Sequence, residues 1–177
     1  LHLLAGLVDK SLVYLTPSGR YMVHELLRQY GAEQIDPTRQ AAILRDFAHH
    51  YLGMLRQLEG DIKYHRQIEA LDDIQTEFEN IRYAWGWAVS QRGCDALTHA
   101  VESLHFFADM RGRYYDVVAM LQTALDELDT ANAPLYRIRM RWARLRLLGG
   151  VPTTLDLGVV IEQSLTEAHA AQNTEDI

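Results

Sequence analysis

The sequence predicts a mainly α-helical chain, in which a helix–β-hairpin–helix start leads into an α-helical repeat or solenoid. Two observations predict it. From Leu44 to Leu165 apolar side chains recur every three to four positions, the spacing of one helix face. Only residues 11–23 are rich in strand formers, and a Pro–Gly turn divides them.

Leu3, Leu4, Leu7 and Val8 share one side of a first helix. Strand candidates 11–15 and 20–23 flank Thr16-Pro17-Ser18-Gly19, with Pro second and Gly fourth as a type I turn prefers. From His24 the pattern is helical, with Leu26, Leu27, Tyr30 and Ile35 to one side. A unit of 35 residues is too small to bury a core of its own. Asp36 and Pro37 then read as a helix cap and first helical residue. The helix they open carries Leu44, Phe47, Tyr51, Leu55 and Leu58 and ends at Gly60-Asp61. Leu71, Ile74, Phe78, Ile81, Trp85 and Ala88 mark the next, closed by Arg92-Gly93. Leu97 to Ala108 and Val117 to Leu128 mark two more, followed by a loop over 129–133 and a Pro134 helix start. Leu135, Ile138, Trp142 and Leu145 precede Gly149-Gly150; Thr153 or Thr154 is expected to cap a last helix bearing Leu157, Ile161, Leu165 and Ala168. The polar tail 172–177 is expected to fray. Expected domains are 1–36, a linking helical segment 37–92, and helical repeats 93–177.

Gly112 and Gly149 lie 37 apart, close to the roughly 34-residue period of tetratricopeptide repeats. Gly112 to Asp116, followed by Ala124-Leu125, fits the turn and second helix of such a repeat, while the second copy is degenerate. An irregular helical bundle buries the same stripes; only a solenoid leaves a continuous groove.

With 48% hydrophobic and 23% charged residues the composition is that of a globular protein. No apolar run reaches the roughly 20 residues of a membrane span, and residues 1–8 lack the flanks of a signal peptide. The first residue is Leu rather than Met, so we expect a piece of a longer protein. Cys94 is the single cysteine, which excludes an internal disulfide and is compatible with the cytoplasm. A net charge of −7 argues against gripping nucleic acid through the overall field. Of 17 basic residues 15 are Arg, from either planar pairing or base composition.

No phosphate-cradling GxxxxGK[ST], no GxSxG and no HExxH occurs. His49 and His50 are adjacent and diverge on a helix, so no metal is expected. Asp72, Asp73, Glu77 and Glu79 read as the acidic start and polar face of a helix rather than an acid–base pair. Arg137, Arg141 and Arg144, at i, i+4 and i+7, form the one basic patch. It either binds an acidic partner or phosphate backbone, or pairs with acids on a neighbouring helix. No catalytic residue is expected.

Two stretches carry a resemblance. LVDKSLV from Leu7 to Val13, with GRYMVHELLRQY from Gly19 to Tyr30, resembles the end of the winged-helix domain of STAND nucleotide-switch proteins, most of all the NB-ARC-type bacterial regulators. EFENIRYAWGWA from Glu77 to Ala88 resembles the helix that follows it there, before tetratricopeptide repeats. The likeness covers most of residues 1–130. It implies that residues 1–36 are the C-terminal part of a winged helix, next to an upstream nucleotide-binding domain that holds ADP or ATP. In that family a Met-His-Asp motif follows the hairpin, and its His contacts the β-phosphate of ADP. Here the positions are Val23, His24 and Glu25, so only His24 is carried over. The resemblance further implies a cytoplasmic transcriptional regulator whose repeats receive a protein or small-molecule effector, with no cofactor held by the present residues, no direct nucleic acid binding and no membrane. The alternative is a helical adaptor without a nucleotide switch, which an upstream phosphate-binding loop would exclude.

Overall fold

The computed structural model describes residues 2–17, 19–128 and 135–170. The predicted turn residue Ser18, the 129–133 loop with Pro134, and the 172–177 tail lie outside them. Among the described residues there are eight α-helices, one π-helix and one two-stranded sheet. The chain divides into two compact units, residues 1–43 and 44–177.

In the first unit, α1 (His2–Asp9) leads into β1 (Val13–Leu15) and β2 (Tyr21–Val23), followed by α2 (Glu25–Glu33). The strands are antiparallel, with Val13 opposite Val23 and Leu15 opposite Tyr21. The Gly19 N–H donates to the Thr16 carbonyl, and Gly19 has φ +77°, the left-handed conformation that glycine adopts without strain. No described residue of this unit is buried, and Leu26 is 68% exposed. These residues form their elements locally, through turn and cap hydrogen bonds.

Helix α3 (Pro37–Gly60) begins in the first unit and continues into the second. The Asp36 carboxylate accepts from the Thr38 and Arg39 N–H groups at 2.9 and 3.3 Å, so the predicted cap forms with Pro37 as first helical residue. The chain then makes a π-turn, Asp61–His65, before α4 (Gln67–Ser90). Four helices follow: α5 (Cys94–Arg111), α6 (Tyr114–Glu127), α7 (Tyr136–Gly149) and α8 (Leu157–Ala170).

The second unit holds one continuous core, which runs across residue 92. All six residues of the Leu71–Ala88 stripe are buried, as are Leu97, Val101, Leu104, Val117, Leu121, Ile138, Trp142 and Leu145. Burying side chains of this size contributes about 1.5–3 kcal/mol each, which is what holds the helices together. Two buried hydrogen bonds set their register: Trp85 Nε1–H donates to the Met120 carbonyl at 2.9 Å, and Ser103 Oγ–H to the Leu55 carbonyl at 2.6 Å. Trp87, outside the stripe, is half-buried.

Two local expectations are corrected. The last helix is capped by neither Thr153 nor Thr154 but by Asp156, which accepts from the Gly158 and Val159 N–H groups. Thr153 instead closes a turn with the Leu155 N–H. The counterpart of Gly112 is Gly150, not Gly149. Gly112 and Gly150 both take left-handed φ, +68° and +61°, as C-caps of α5 and α7. In each case the capping N–H and the next one return to a single carbonyl, that of Ala108 or Arg146. Gly149 is a contact glycine, with Tyr114 where its Cβ would lie.

Candidate functional site

His24 is the N-cap of α2. Its backbone is extended, at φ −63° and ψ 138°, and its Nδ1 accepts from the Leu26 N–H at 3.3 Å. With Nδ1 used as acceptor, the neutral imidazole carries its proton on Nε2. The ring is thus an oriented, exposed N–H donor at a helix start. Next to it, hydrogen bonds from Arg28 and Gln29 hold the Glu25 carboxyl down at about 2, so Glu25 stays ionised.

The arginines of α7 have different fates. Arg141 Nε donates to Glu102 of α5 at 2.5 Å, with only 13% and 15% of the two side chains exposed. Arg139 reaches Glu167 of α8 at 2.6 Å. Arg146 lies over the Trp142 ring at 4.5 Å and donates to the Pro152 carbonyl. With Arg111 on Asp72, these pairs link α4 to α5, α5 to α7 and α7 to α8. Planar pairing is therefore a structural use of Arg here. Arg144 is exposed, and Arg137 is half-buried.

Arg137 and Arg141 meet residues from three other segments in a cleft of about 520 Å³. The end of α3 supplies Arg56 and Glu59, the π-turn supplies Lys63 and Tyr64, and α5 supplies Glu102. Lys63 Nζ lies 2.7 Å from Glu59 and 3.5 Å from Glu102. Partial burial alone would lower the Lys63 pKa, but the Glu59 hydrogen bond and the Glu102 charge outweigh it and raise it. Burial would likewise raise Glu102, but the Arg141 hydrogen bond and the charges of Arg141 and Lys63 lower it. Both groups stay charged around neutrality. Arg144 is not part of the lining. Lys63, Tyr64, Arg56, Glu59 and Glu102 were not singled out by sequence reasoning. Their one visible trace is Lys63, one of two lysines in the chain.

His105 lies one turn beyond Glu102 on α5 and is 3% exposed, its Nδ1 without a hydrogen-bond partner. Burial, reinforced by the Arg141 charge, depresses its pKa to about 4, so the ring is neutral. Cys94 is half-buried at the start of α5 and packs against the core. Among the described residues no group of His, Cys, Asp and Glu is placed to hold a metal ion, and no helix is long and apolar enough to cross a membrane.

No protein-family model, curated protein or solved structure matches the chain. Among the described residues, His24 presents an oriented imidazole and the second unit a charged cleft.

Proposed function

We propose that the chain is a regulatory and sensor fragment of a cytoplasmic nucleotide-switch transcriptional regulator of the STAND/NB-ARC type. In this reading residues 1–36 are the C-terminal part of a winged helix packed beside an upstream nucleotide-binding domain. The helices that follow form a tetratricopeptide-like scaffold for a protein or small-molecule effector. The fragment itself catalyses nothing and holds no cofactor; ADP or ATP belongs to the intact protein.

The observation that carries the reading is His24. Its cap bond to the Leu26 N–H fixes the imidazole with Nε2–H outward, and a donor at a helix N-terminus suits a phosphate oxygen. The hairpin, the His and the helix also follow one another in the order of the family motif. The test is His24→Ala in the intact protein. Faster release of bound ADP is expected, and unchanged ADP retention would refute the role. A helical adaptor without a switch predicts no nucleotide retention in either protein.

A further inference from the structure

Helices α4 and α6 run side by side in one parallel register. Trp85 Nε1–H donates to the Met120 carbonyl, 35 positions on, and one end of the same register puts the Arg113 guanidinium over the Phe78 ring at 4.5 Å. A groove of about 350 Å³ lies between the two helices. The register gives it two unlike ends. Arg82 and Asp116 line one end; Gly86 and Met120, each one turn further along its helix, line the other.

The polar end carries one charge of each sign. Arg82 donates to Glu79, and Asp116 accepts from Arg113. Each is thus held by a neighbour on its own helix rather than by the other across the groove. Charges steadied in this way lose little further freedom when they bind. The apolar end is notched. Gly86 is exposed inside α4, where glycine costs about 1 kcal/mol relative to alanine. A Cβ there would meet nothing within 4 Å, so the packing of the described residues does not call for the missing side chain. Its absence deepens the groove beside Trp85 and Met120. Tyr115 also lines it and is 65% exposed, an aromatic face that the core does not use. The volume suits a small ligand.

We propose that this groove binds a zwitterionic amino acid with a large apolar side chain, its carboxylate at Arg82, its ammonium at Asp116, and its side chain over Gly86 against Tyr115 and Met120. Opposite charges on facing helices match such a head group, which has no net charge of its own. The notch lies one turn further on, about 6 Å along the helix axis, within reach of one side chain. That the amino acid acts as an effector rests on the reading of the helical unit as an effector scaffold.

The experiment is titration of the full chain with L-phenylalanine, followed by amide and indole N–H shifts. Saturable one-to-one binding is expected, with the shifts centred on Gly86, Ala119 and the Trp85 indole. Phenethylamine lacks the carboxylate and 3-phenylpropionate lacks the ammonium; each should bind about tenfold more weakly, the equivalent of one lost charge-assisted contact. Arg82→Gln, on an exposed side chain, should weaken L-phenylalanine about tenfold and leave phenethylamine unchanged. Gly86→Leu should abolish binding without lowering the thermal midpoint, because leucine is a good helix former and the space it enters is open; a loss of this kind cannot arise from misfolding. Gly53→Ala, at a glycine inside α3 and outside the groove, should change nothing. No saturable binding of L-phenylalanine, equal binding of all three probes, or binding indifferent to Gly86→Leu would overturn the proposal. If L-phenylalanine binds as described but leaves ADP retention in the intact protein unchanged, the site stands and the effector role falls. Should His24→Ala release ADP while no probe binds, the site falls alone.

Discussion

Acidification should destabilise the second unit in large part through one side chain, His105. Burial and the neighbouring Arg141 charge depress its pKa from 6.5 to about 4 in the folded protein. The unfolded chain therefore takes up the proton first. The stabilisation is fully present above pH 6.5 and is lost as the pH falls toward about 4. One group with that pair of values costs about 2.5 kcal/mol between about pH 7.5 and about pH 4.5, because each pH unit inside the window is worth about 1.36 kcal/mol. The groups that act on the ring are Glu102 and Asp109, which favour its charged form, and Arg141 and Arg144, which oppose it. The Arg141 hydrogen bond and the charges of Arg141 and Lys63 hold Glu102 below its ordinary value. The assay is urea unfolding followed by circular dichroism at several pH values, for the natural sequence and for His105→Leu. Leucine is of similar size and cannot titrate, and Nδ1 has no hydrogen bond to lose. The variant should match the natural chain near neutrality within about 1 kcal/mol and lose less stability on the acid side. Stability curves that run parallel from neutral to acid pH would refute the assignment of the proton to His105.

Gly149→Ala should destabilise by about 2–3 kcal/mol, since a Cβ would fall on the root of the Tyr114 side chain, which cannot swing away. Gly86→Ala should do the reverse, raising the thermal midpoint by the equivalent of about 0.5–1 kcal/mol, because it lies inside α4 with open space where a Cβ would go. Glu102→Gln should cost about 2 kcal/mol in urea unfolding, less than the about 3–5 kcal/mol of a fully buried pair, because Arg141 and Lys63 lose their shared partner in a place only partly open to water. Asp156→Ala should cost about 1 kcal/mol and speed amide exchange at Gly158 and Val159, whereas Thr154→Ala should leave both unchanged.

The helices were legible because one periodic signal sufficed for each. The stripe from Leu71 to Ala88 needs only its own spacing to predict α4, and all of it is buried. Asp36-Pro37 likewise carried its cap within three residues. What sequence reasoning missed has a common physical cause, namely bonds whose partner is not fixed by local spacing. Counting in threes and fours does not register the wider π-turn at 61–65, where the Arg66 N–H returns to the Asp61 carbonyl. Sequence alone favours the two threonines because they stand closer to the preceding loop, although an Asp two positions before Gly158 has the reach to cap it. The cleft needed more still. Arg137 and Arg141 were visible as an i, i+4 pair, but their meaning depends on Glu102, 39 positions before Arg141, and on Lys63 beyond it. With Arg144 they formed an apparent single patch; in three dimensions Arg141 is bound to Glu102, Arg137 lines the cleft, and Arg144 lies outside it. A row of like charges on one helix therefore says little until the facing helix is known, because a carboxylate across the interface turns one member into a strut while its neighbours on the same helix take different places.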